Sequence, residues 1–141
     1  MMIIAHRGGH ALGPENTIGT MEKAIAAGAH GVEMDIRCSL DNKPVLMHDS
    51  TVDRTTNGSG AVYQMTADKL ETLDAGEGRA VPPLRKVLDT LRTTDAIMML
   101  ELKHPATALA TAEMVNSLFA QKTCRTACNY YQFLPSAIDA N

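Results

Sequence analysis

The feature that most constrains this chain is a recurring junction, in which a short apolar run ends in residues that carry chemistry. Four such runs occur, at residues 2–5, 31–36, 44–47 and 97–100. They carry or lead into His6-Arg7, Glu33-x-Asp35, His48-Asp49 and Glu101-x-Lys103. Between them lie segments with helical spacing: Ile18, Met21 and Ile25, then Leu84, Val87, Leu88 and Leu91, then Ala108, Ala112, Val115 and Phe119. Strands alternating with helices predict an α/β fold with a mainly parallel sheet. In such sheets functional groups collect at the carboxyl ends of the strands. The sequence therefore predicts four strand ends meeting on one rim.

Local signals fill in the rest. Asn16 or Thr17 can cap the first helix, and Gly28 or Gly31 can end it. Asp41-Asn42-Lys43 reads as a turn, and residues 50–60, rich in Thr, Asn, Gly and Ser, as a loop. Residues 66–73 predict a short helix capped by Thr66, and Pro82-Pro83 introduce a stronger one. After Gln121 the pattern loses clarity, and no internal repeat or low-complexity segment is visible.

The chain has 141 residues, enough for one domain. A net charge of −3 gives no support for a nucleic-acid partner. No apolar run approaches the ~20 residues needed to span a bilayer, and no signal peptide is visible, so a cytoplasmic location is expected. Cys38, Cys124 and Cys128 are an odd and scattered set, read as ordinary free thiols.

Glu33 and Asp35 lie two apart on a strand, so both carboxylates point to one face. Held ~7 Å apart, they repel unless a cation intervenes. With Glu101 they form an oxygen-donor set suited to a hard cation such as Mg²⁺ or Ca²⁺. His6 and His48 can exchange protons near neutral pH, while Arg7 and Lys103 supply positive charge for an anion. Together these groups suggest chemistry on a phosphate ester. Each has a plainer alternative: a solvated strand face for Glu33 and Asp35, a surface ion pair for Glu101 and Lys103, structural histidines, a turn at Arg7-Gly8-Gly9. All the plain readings must hold at once, each at the end of an apolar run, which favours the site.

The ordered set His6-Arg7-Gly8, Pro14-Glu15-Asn16-Thr17, Glu33-x-Asp35, His48-Asp49, Asp53-Arg54-Thr55-Thr56-x-Gly58-x-Gly60, Leu73-Asp74-Ala75-Gly76, Pro82-x-Leu84 and Glu101-x-Lys103 resembles the glycerophosphodiester phosphodiesterase family. The resemblance implies a TIM barrel related to that of phosphatidylinositol-specific phospholipase C. It also implies Glu33, Asp35 and Glu101 as divalent-metal ligands, His6 and His48 as the acid/base pair, and Arg7 and Lys103 as phosphate contacts. Asn16 matches a position beside the site. Asp49 and Arg54 are expected to be structural, fixing the loop that carries His48. The implied reaction is hydrolysis of a small-molecule glycerophosphodiester to glycerol 3-phosphate and an alcohol.

The match weakens after about residue 121. Segment 134–138 faintly resembles the stretch after the family's fifth strand, residues 124–132 fit that strand poorly, and the chain has no tryptophan. The expectation is a partial domain over residues 1–141, a (β/α)8 barrel truncated to about its first half. Three functional classes follow. The chain is a phosphodiesterase, or an inactive fragment binding metal or a phosphate ligand, or a half-barrel self-associating through exposed edges.

Overall fold

The computed structural model describes residues 1–119; Cys124, Cys128 and segments 124–132 and 134–138 lie outside them. Strand β1 (Ile4–Ala5) runs into a 3-10 turn at His6–Gly8, followed by helix α1 (Ile18–Ala26) and strand β2 (Gly31–Cys38). After β3 (Pro44–Leu46) come a 3-10 turn at Val62–Gln64, α2 (Ala67–Glu71), α3 (Leu84–Leu91), β4 (Ile97–Leu102) and α4 (Thr107–Phe119). Thr17 precedes α1 in extended conformation but its side chain accepts no helix amide; its hydroxyl pairs with the Pro14 carbonyl at 2.8 Å and the Thr20 hydroxyl at 3.0 Å. Thr66 caps α2 as expected, accepting from the Lys69 amide, but the helix ends at Glu71.

β2 is the centre of the sheet. β1 and β4 pair with it in parallel, with Gly31 opposite both Ile4 and Ile97, and Asp35 opposite Glu101. β3 is the strand that departs from the mainly parallel sheet: it pairs antiparallel with the end of β2, Cys38 opposite Pro44 and Ile36 opposite Leu46. The cause is the connection. A turn over residues 39–43 can only fold a strand back, whereas a parallel return needs a crossover of about a dozen residues or more. The rim is thus built from three parallel strand ends and one strand that descends to the same level. Met47 donates to the Asp35 carbonyl while Lys103 donates to that of Ile36. Neighbouring carbonyls of a strand face opposite edges, so β3 lies on the β1 side of β2.

The period-2 pattern of β2 separates two environments. Val32, Met34 and Ile36 enter the main core with Met21, Ala24, Leu46, Leu84, Val87, Leu88 and Leu91. The other face holds Glu33, Asp35 and Arg37. A second core gathers Val45, Met47, Val52, Val62, Leu70 and Val81 beneath the 50–60 loop. Consecutive residues of the β3 segment thus serve different cores, and His48 follows directly.

Candidate active site

Glu33 is 7% exposed and Asp35 1%, which overturns the solvated-face alternative. Burial of two carboxylates on a central strand is costly unless each charge is matched. Asn16 matches Asp35 twice: its side-chain NH₂ donates to Oδ2 at 2.7 Å, and its carbonyl accepts from the Asp35 amide at 3.1 Å. Lys103 approaches from β4, its Nζ 2.8 Å from Asp35 Oδ1 and in contact with Glu101 as well. Burial opposes the charge on Lys103, but hydrogen bonds to Asp35 and Glu101 outweigh it and leave its pKa raised.

Glu33 is matched on one side only. Its Oε2 accepts from the Arg7 amide at 2.7 Å and lies 4.0 Å from His6 Nε2, while Oε1 is buried without a partner among the described residues. Burial, with Asp35 close by, raises the Glu33 pKa against the effect of the Arg7 amide. That amide is aimed by backbone strain. Arg7 has φ 50° and Asn16 φ 56°, both left-handed, a conformation costing roughly 1–3 kcal/mol each in non-glycine residues. The Asn16 amide donates to the Arg7 carbonyl at 2.9 Å and locks the two together.

One oxygen from each of Glu33, Asp35 and Glu101 lies within 4.8 Å of the others. The donors are all carboxylate oxygens, and Glu33 carries a buried Oε1 without a hydrogen-bond partner among the described residues, so these residues fit a hard divalent cation. The β2–β4 register produces this cluster, since Glu101 stands directly opposite Asp35.

His48 stands across the rim, about one-third exposed. Its Nδ1 lies 2.7 Å from Asp49 Oδ1, and its Nε2 lies 2.9 Å from Arg7 Nη2. Arg37, two residues beyond Asp35 on the same strand face, donates through Nε and Nη2 to the His48 carbonyl at 3.0 and 2.8 Å. Sequence reasoning passed over Arg37, although the alternation of Glu33 and Asp35 continues to it. It also passed over Glu15, which accepts from both Arg7 and Arg54. His6 is more open, with 60% of its side chain exposed, and packs edge-on against His10. Among the described residues Cys38 is a free, half-buried thiol whose pKa burial raises.

This mainly parallel sheet with a polar rim places the chain among α/β proteins of the TIM-barrel type. A glycerophosphodiester phosphodiesterase from Agrobacterium tumefaciens superposes with a TM-score of 0.78 at 38% identity, over 84% of this chain and 53% of that one. An Oleispira antarctica phosphodiesterase, solved in complex with the product sn-glycerol-3-phosphate, gives 0.78 at 31% identity, over 82% of this chain and 52% of that one. In sequence, a glycerophosphodiester phosphodiesterase from Caldanaerobacter subterraneus is 38% identical over 109 residues, 72% of this chain and 45% of the relative. Residues 6–130 match the glycerophosphoryl diester phosphodiesterase family, and the chain belongs to it. It spans about half the length of these relatives. Among the described residues, no helix is long and apolar enough to cross a membrane.

Proposed function

We propose that this rim hydrolyses glycerophosphodiesters to glycerol 3-phosphate and an alcohol, with a divalent metal, Mg²⁺ or Ca²⁺, as cofactor. The observation that carries the proposal is the meeting of three carboxylates, two histidines and two cationic side chains on a sheet of this family. The Oleispira relative's complex with sn-glycerol-3-phosphate supports the product.

Glu33, Asp35 and Glu101 are the residues that would hold the metal, which when bound supplies Lewis-acid stabilisation of the phosphoryl oxygens. Arg7 and Lys103 attract and orient the phosphate. Arg7 is suited to this because its guanidinium, held by Glu15 and His48, is already directed at the rim. His6 and His48 divide the proton transfers, one accepting a proton from the attacking oxygen nucleophile and the other donating to the departing alkoxide. Asn16 keeps the Asp35 side chain fixed for its role through two hydrogen bonds. The test is release of glycerol 3-phosphate from a glycerophosphodiester before and after dialysis against EDTA. Activity lost on chelation and regained with Mg²⁺ or Ca²⁺ is expected; full turnover in excess EDTA would refute the metal-dependent reading. Metal binding measured by calorimetry without any turnover would favour a chain that only binds metal or a phosphate ligand.

A further inference from the structure

We infer that Glu15 and Arg54 are positioning residues that fix the ring of His48 and the guanidinium of Arg7 in one closed circuit; this rests on the phosphodiesterase reading of the rim. The circuit can be followed atom by atom. Arg7 Nη1 donates to Glu15 Oε1 and Oε2 at 3.4 and 3.3 Å. Arg54 donates to the same carboxylate through Nη1 at 3.1 Å and Nη2 at 2.7 Å. It also donates to Asp49 through Nε at 2.6 Å and Nη2 at 3.0 Å. Asp49 meets His48 Nδ1, and His48 Nε2 meets Arg7 Nη2, closing the loop.

The chemistry of the partners determines the state of the imidazole. An ionised carboxylate only accepts, so Nδ1 carries the proton. A guanidinium only donates, so Nε2 presents its lone pair toward the rim. Asp49 stays ionised because Arg54, and then His48, hold its carboxyl well below the usual carboxylate range. Glu15 is likewise lowered, Arg54 again the largest cause. Arg54 spends both edges of its fork on two carboxylates, a geometry that an ammonium cannot reproduce. It is therefore a strut between the segment after Arg7 and the loop after His48, and its engaged donors leave phosphate contact to Arg7 and Lys103.

The experiment compares wild type, Arg54→Gln, Arg54→Lys and Glu15→Gln in the full chain, with two readouts. In ¹⁵N-histidine-labelled protein, long-range ¹H–¹⁵N spectra report which ring nitrogen of His48 is protonated, with His48→Asn giving the assignment. Wild type is expected to show Nδ1–H alone, and the variants a mixture of tautomers. Where turnover is present, the variants are expected to lose up to about 10²-fold in kcat with KM near the wild-type value, as misplaced reacting groups do. Glu15→Gln keeps the size of the side chain but turns one of its two accepting oxygens into a donor facing guanidinium N–H groups, so it reports on the circuit even if an Arg54 variant fails to fold. A His48 spectrum unchanged in Glu15→Gln and Arg54→Lys overturns the inference. So does a raised KM at constant kcat, which would place Arg54 on the substrate. Absence of turnover in wild type tells against the proposed reaction, while the tautomer readout still decides the circuit.

Discussion

His6→Ala and His48→Ala are each expected to lower turnover by about 10²–10⁴-fold, the scale for losing a general acid or base, read as glycerol 3-phosphate release. Near-native rates in both would remove proton transfer from these rings. Glu33→Gln is expected to behave differently. It keeps the size of the side chain but removes the charge at the buried, unpartnered Oε1. Metal affinity should drop and added metal should restore part of the rate, as a metal titration of each protein will show. At this scale the sequence was most legible where a simple period governs it. Glu33 and Asp35 share a face because strands alternate, and Glu101 joins them by register. What spacing could not reveal were contacts made across long separations. Glu15 and Arg54 are 39 residues apart, and nothing local to either predicts that they meet.

The elements hold the rim by close backbone approach. At Gly31, a Cβ would lie 2.4 Å from the Ile97 carbonyl and 2.8 Å from the Ile97 Cβ, and a backbone carbonyl in a paired strand cannot step aside. Gly31→Ala should cost about 1–3 kcal/mol, the usual price of overpacking, measured by denaturant unfolding. The connections between the site loops have a pH signature. Glu15 and Asp49 are held below their ordinary 4.5 and 3.8. Their ion pairs therefore stabilise fully above those values and fade as pH falls through the lowered folded-state values. Arg54 is about half exposed, so Arg54→Gln should cost only about 1 kcal/mol near neutral pH. The gap from wild type should narrow once pH drops below 3.8, which melting curves across pH will show. Element type was readable from apolar spacing at α3 and β2. The direction of β3 was not, because an apolar run looks the same in either sense; only the length of the 39–43 turn carried that information.

For the whole molecule, the sheet edges open among the described residues bear on association. Among the described residues, β1 and β4 each pair only with β2, leaving one edge of each free to take another strand. Ile3 is 48% exposed beside β1, and Met99 on β4 is 42% exposed. Self-association is expected, so sedimentation should depend on concentration and any specific activity should rise with it. A sharply melting monomer with constant specific activity would contradict this. The β3 segment bears on how such an assembly comes apart. With Leu46 in one core and its neighbours Val45 and Met47 in the other, neither core can melt while this stretch stays straight and paired. Calorimetry should therefore record one cooperative transition rather than two, with calorimetric and van't Hoff enthalpies, counted per associating unit, in agreement.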